Sequence, residues 1–209
     1  MEKNIAILGT LDTKGEEFKY VKDIIEKEGL GTIVIDAGVM GKPYFTPDIG
    51  RAEVAAAGGK TIEKLRSDKD RGQAMEVMSS GAAEIAADLY DNGKIDGIIS
   101  LGGSAGTTIG TSAMQRLPVG VPKVMVSTLA SGDTRPYVGI KDITMMYSVV
   151  DILGVNSLSS QILANAAFAV VGMVKGNKPK LDEHKPLIAA TMFGVTTPCV
   201  TEARNYLEE

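Results

Sequence analysis

Cysteine and histidine are almost absent: one of each, Cys199 and His184, occurs in 209 residues. A single thiol excludes an internal disulfide framework, and a single imidazole excludes a His-rich metal site. Because His184 falls in a polar, Lys- and Pro-bearing stretch, a Ser-His-Asp triad built on Ser104 is a poor reading as well. Basic runs are missing too. The 22 Lys and Arg are outnumbered by 26 Asp and Glu, for a net charge of −4, which argues against a nucleic-acid partner. The longest apolar stretch, 162–174, is broken by Asn165 and too short to span a bilayer. The opening Met1-Glu2-Lys3-Asn4 runs straight into a strand-like segment, without the charged and apolar regions of a secretory signal. No membrane association is expected, and the cytoplasm is the natural location.

What is present is ordinary soluble-protein composition, 44% hydrophobic and 23% charged, at a length that fits one large or two small domains. Short β-rich runs alternate with longer helical ones. Residues 4–8 read as a strand, and 15–28 as a helix with Phe18, Val21, Ile24 and Ile25 on one face, stopped by Gly29. Strands are expected at 32–35, 95–100 and 123–127, with a short fifth at 142–146. A Gly- and Pro-rich loop covers 37–50 and a short polar helix follows it. A long amphipathic helix covers 72–91, and an apolar helix covers 157–175. That last helix is apolar on most sides, so a second layer, such as another subunit, is a candidate cover for its outer face. Strands apolar on both faces and alternating with helices predict a doubly wound, Rossmann-like α/β fold with a mostly parallel sheet.

The C-terminal part repeats the opening plan. Residues 186–192 read as a strand, followed by Phe193-Gly194 and a helix over about 198–207. The expected organisation is a nucleotide-binding subdomain at 1–176, a linker at 177–185, and the first strand and helix of a second, truncated subdomain at 186–209. The chain then reads as the first half of a larger protein.

In parallel α/β sheets ligands bind where loops leave the carboxyl ends of strands. Four loops fall there, at 9–16, 36–42, 102–108 and 127–135, all rich in Gly, Ser, Thr and Asp. The most informative is Leu101-Gly102-Gly103-Ser104-Ala105-Gly106-Thr107-Thr108, between a strand and a helix. Its glycines let the backbone approach an anion, and the first free N–H groups of the helix point at it. Candidate binding residues are therefore Gly102, Gly103, Ser104, Ala105, Gly106 and Thr107. The first βα turn, Gly9 to Glu17, carries neither a GxGxxG nor a Walker A pattern. Its Asp12, Thr13 and Glu16 are further candidates, since carboxylates there can hold ribose hydroxyls or Mg²⁺ through water; helix capping is the competing reading. Asp36 ends the second strand at the position of a ribose-binding acid, or else simply forms a turn. Arg71 precedes the long helix, where its planar fork suits phosphate, although Asp68 to Arg71 also reads as a solvated charge run. Met75 and Met78 read as core filler.

Several of these segments resemble one family: 9–14, Arg71-Gly72-Gln73-Ala74, 102–107, 122–132 and 148–152. They match, in order, the ATP-binding N-terminal domain of the tomato mosaic virus resistance protein and its bacterial and archaeal relatives. The resemblance implies a two-subdomain α/β unit of about twice this length that binds ATP, with Mg²⁺ as a candidate companion, and forms a homodimer. It places phosphate contacts on Gly102 to Ala105 and Arg71, and further ligand contacts at Glu16 and Val39. Ala105 stands where relatives often have a third glycine, and Val39 can contribute only through backbone or packing. The reading that follows is an ATP-binding domain. The alternative is an enzyme of small-molecule metabolism acting on a phosphorylated or nucleotide substrate, its site completed by the second subdomain.

Overall fold

The computed structural model describes residues 3–176 and 188–208. The chain divides into two compact units, 1–176 and 177–209. In the first, β1 (Asn4–Gly9), β2 (Gly31–Asp36), β3 (Gly97–Gly102), β4 (Lys123–Ser127) and β5 (Thr144–Tyr147) form one sheet. The strands are parallel throughout, in the order β2-β1-β3-β4-β5. This is the expected Rossmann-like α/β sheet, with a topological switch between β1 and β3.

Alternation along each strand divides the core into two layers. Ile5 and Ile7 of β1, with Ile99 and Val124, pack under α1 (Gly15–Lys27) and α7 (Ser159–Lys175). Ala6 and Leu8, with Ile98 and Met125, face the opposite layer. That layer contains α2 (Arg51–Ala57), α3 (Ile62–Asp68), α4 (Arg71–Asp91) and α5 (Ser104–Arg116). Helix α1 fits its groove because Phe18, Val21 and Ile25 fall on one face at helical spacing and are fully buried. Each such side chain contributes about 1.5–3 kcal/mol on leaving water. One turn of helix, α6 (Arg135–Val138), precedes β5.

Several boundaries differ from those read in the sequence. β3 begins two residues later, because Asp96 is occupied at the strand entry: its N–H donates to the Asn4 carbonyl at 2.8 Å, and its carboxylate accepts from the Asn4 N–H at 2.9 Å. Pairing continues through Leu101 and Gly102 opposite Val126 and Ser127, so Gly102 belongs to the strand and not to the loop. The single polar helix expected after 50 is two helices, with Val54, Ala55, Ile62 and Leu65 buried. β5 starts at Thr144, because Asp142 accepts hydrogen bonds from the Gly120 N–H and the Lys123 ammonium, each at 2.8 Å. Helix α7 packs on the sheet through Leu163, Ala167 and Val170 but leaves Phe168 and Met173 exposed.

In the second unit the described residues contain α8 (Thr197–Glu208), matching the expected helix, with Cys199 exposed on it. The strand read at 186–192 is not formed over its described part: 188–193 are irregular. A strand exists only by pairing its N–H and C=O groups, and the described residues of this unit offer no second strand to pair with. His184 and the 177–185 linker lie outside the described residues. No helix of the described residues is long and apolar enough to cross a membrane.

Candidate functional site

A cleft of about 670 Å³ opens at the carboxyl end of the sheet, at the switch between β1 and β3. Three of the four loops read from the sequence line it, together with the first turns of α4 and α5. The fourth, 127–135, does not. Its Ser127 is buried against Thr107, and Asp133 is paired with Arg135 on the surface, which holds the Asp133 carboxyl below its usual range.

The glycine-rich turn builds one wall. Gly103 caps α5, and the first helical hydrogen bond runs from the Thr107 N–H to the Gly103 carbonyl at 2.8 Å. The N–H groups of Ser104, Ala105 and Gly106 therefore precede the ladder and have no hydrogen-bond partner among the described residues. Gly103, Ser104, Ala105 and Gly106 all line the cleft. Gly102 and Thr107 do not, and their roles differ from those the sequence suggested. A Cβ at Gly102 would lie 2.8 Å from the Gly106 Cα, so this glycine allows the strand end and the helix to touch. Thr107 is fully buried, its hydroxyl 2.8 Å from the Gly103 carbonyl and 2.6 Å from the Ser127 hydroxyl. It locks the turn onto β4 and is not part of the cleft lining.

The second wall is held by a buried ionic cluster. Arg51, on the first turn of α2, donates from Nε and Nη2 to Asp36 Oδ2 at 2.8 and 2.6 Å, and from Nη1 to the Gly41 carbonyl. Nη1 also lies 3.6 Å from Asp12 Oδ2. Asp36 Oδ1 accepts from the N–H groups of Leu11 and Gly38 at 3.1 and 2.9 Å. Asp12 Oδ2 accepts from those of Met40 and Gly41 at 3.1 and 3.0 Å. Gly38 is needed here, because an added Cβ would meet Asp12 Oδ1 at 2.5 Å. Asp36 is thus 1% exposed with both oxygens engaged; it anchors the 37–41 loop and is not part of the cleft lining. Asp12 lines the cleft, but its Oδ2 is committed to that loop. The sequence carried no signal that Arg51 would join the two acids, since it lies across a loop with no fixed spacing.

Thr13 lines the cleft, and its hydroxyl is 2.7 Å from that of Thr10. Glu16 is exposed on α1 outside the cleft lining; its neighbour Glu17 is buried and accepts from the Gly154 N–H at 2.6 Å. Val39 lines the cleft by packing, while its carbonyl accepts from Arg66 Nε at 2.6 Å. Arg71 stands exposed at the start of α4 on the cleft rim, capped from behind by Asp70, which accepts from the Gln73 N–H at 3.0 Å. Lys69, in the left-handed region at φ 52°, joins it there. Neither cationic side chain has an ion pair or hydrogen bond among the described residues. In the sequence Lys69 carries no signal of its own, because it sits in an ordinary charge run. Lys14 also lines the cleft and donates to the Ile152 carbonyl. Met75 and Met78, read as core filler, pack in the core and also form part of the cleft wall. No cluster of three or more metal-ligating side chains occurs among the described residues.

Residues 3–179 match the model of the uncharacterised protein family UPF0261, N-terminal domain. A UPF0261 protein of Clostridium tetani is 66% identical over 208 residues, covering 100% of this chain and 52% of the relative. One of Rhizobium meliloti is 44% identical over 95% of this chain and 49% of its own length. The ToMV resistance protein Tm-1 of Solanum lycopersicum is 34% identical over 96% of this chain and 29% of its own length. The chain spans about half the length of the bacterial relatives it matches.

Proposed function

The chain belongs to the UPF0261 family, and from the cleft we propose that it binds a nucleotide, ATP in the first instance, through its phosphates. One observation carries this reading. The three N–H groups of Ser104 to Gly106 and the cations Arg71 and Lys69, all without a partner among the described residues, border the same cleft at the switch point of a parallel sheet. Helix N-termini carry about half a positive charge, and open amides there complement phosphate oxygens. Arg71 adds a bidentate donor and Lys69 a mobile point charge. The remaining walls, Val39, Met40, Leu65 and Met75, are apolar and suit the flat, less polar part of such a ligand.

Mg²⁺ enters this reading on the nucleotide, because Asp12 Oδ2 is bound by two amides and Asp70 Oδ1 caps α4. A nucleotide-dependent activity and a partner subunit belong to the same proposal.

Calorimetric titration of ATP with Mg²⁺ into the chain tests it. Saturable heat is expected, with Arg71→Ala weakening affinity about tenfold, the loss of one charge-assisted bond. The melting temperature should not move, because Arg71 is exposed and holds nothing in place. Heat of equal affinity in wild type and Arg71→Ala would refute the placement, and absence of heat would refute the reading.

A further inference from the structure

We propose that this cleft selects its ligand by the phosphates and not by the base, so that adenine and guanine nucleotides bind nearly alike. The inference rests on the nucleotide reading above and concerns the wall opposite the phosphate groups. With the phosphates at the α5 N-terminus beyond β3, the rest of the ligand extends across β1 toward the loop after β2. Two strand spacings separate these points, roughly 10 Å, and residues 37–40 line the cleft there.

Telling adenine from guanine requires a fixed donor or acceptor at the six-position and its neighbouring ring nitrogen, where the two bases present opposite patterns. Four of the five N–H groups of residues 37–41 are held internally, and so is the Val39 carbonyl. The Ala37 N–H donates to the Gly9 carbonyl at 2.8 Å and the Gly38 N–H to Asp36 at 2.9 Å. The Met40 and Gly41 N–H groups are both on Asp12, and the Val39 carbonyl takes Arg66 at 2.6 Å. The side chains around this loop are Val39, Met40, Leu65, Ala74 and Met75, which offer nothing stronger than a thioether. Among the polar lining groups, the Thr10 and Thr13 hydroxyls bond each other, Lys14 bonds Ile152, Asp12 holds the loop through Oδ2 with Oδ1 against Gly38, Asp70 caps α4, and Ser104 stands at the α5 N-terminus beside the phosphates. Arg71 and Lys69 are cations suited to phosphate. Methionine packs well against a flat ring without reading its edge. A site that hydrogen-bonds a substrate group rejects analogues by about 10⁴–10⁵, whereas an apolar pocket separates close isosteres by only about 10–200.

The test titrates ATP, GTP and inorganic tripolyphosphate into the wild-type chain and into Met75→Ala. Expected are ATP and GTP affinities within about fivefold of each other, with tripolyphosphate at least tenfold weaker because it forgoes the apolar wall. Met75→Ala should weaken both nucleotides by the same factor and leave tripolyphosphate unchanged. A larger preference for either purine overturns the proposal while leaving the nucleotide reading intact. Tripolyphosphate binding as tightly as ATP overturns the role of the apolar wall. Absence of heat with all three probes overturns both readings together.

Discussion

Replacing Arg51 with methionine keeps the length and apolar stem of the side chain and removes only the guanidinium. That group makes two hydrogen bonds to Asp36, at 2.8 and 2.6 Å, one to the Gly41 carbonyl, and an ion pair at 3.6 Å with Asp12. Arg51 is 9% exposed and Asp36 1%, so the carboxylates left behind cannot be rehydrated without opening the loop. Asp36 would keep two amide donors, from Leu11 and Gly38, which partly compensate its charge. Breaking a buried pair from one side costs about 3–5 kcal/mol, and with those amides retained the lower part of that range is expected. With a urea m-value near 2 kcal/mol/M, the unfolding midpoint should fall by about 1.5 M. Arg51→Met combined with Asp36→Asn should recover a substantial part of the loss, since the stranded charge has gone. Equilibrium urea unfolding at neutral pH measures both variants. A midpoint shift under about 0.5 M for Arg51→Met, or no recovery in the double variant, would refute the view that this one guanidinium secures the second wall of the cleft.

Three further outcomes follow from the same geometry. Gly102→Ala should lower both stability and ATP affinity, because its Cβ would lie 2.8 Å from the Gly106 backbone; thermal unfolding and calorimetry read the two effects. Burial alone would raise the Asp142 carboxyl, but the Lys123 ammonium and the Gly120 N–H outweigh it and hold it below the ordinary carboxylate value. A depressed native pKa contributes stability that is complete above about pH 5, roughly a unit above the unfolded value, and is lost as pH falls through the native one. The stability gap between wild type and Asp142→Asn should therefore be constant from neutral pH down to about pH 5 and close in stronger acid; acid-dependent urea unfolding measures it. Lys14→Met should leave the fold intact and raise amide exchange in 152–156, because Lys14 donates to the Ile152 carbonyl; hydrogen exchange with mass spectrometry reads it.

The layered α/β sheet was legible because each strand is apolar on both faces and each long helix carries its apolar residues at helical spacing. Strand ends were less legible, since pairing and not composition sets them: Ile95 is as apolar as Ile98, but Asp96 is held at the strand entry by Asn4. The glycine-rich wall of the cleft was legible in Gly103 to Gly106, because small residues between a strand and a helix leave few alternatives. The same pattern over-reached at Gly102 and Thr107, where small size serves packing and a buried hydroxyl pair. Asp36 misled for a similar reason. Its place at a strand end fits a ribose acid, but a guanidinium 15 residues further along the chain takes its oxygens. That partnership is created by tertiary folding and leaves no local signature.

If the amides of Ser104, Ala105 and Gly106 receive the phosphates of a nucleotide, their three backbone resonances in the isotope-labelled chain should respond as ATP is added. Saturable downfield shifts are expected at all three, with the Arg71 Nε resonance moving along the same binding curve. Saturable binding that leaves these amides unmoved would contradict that placement.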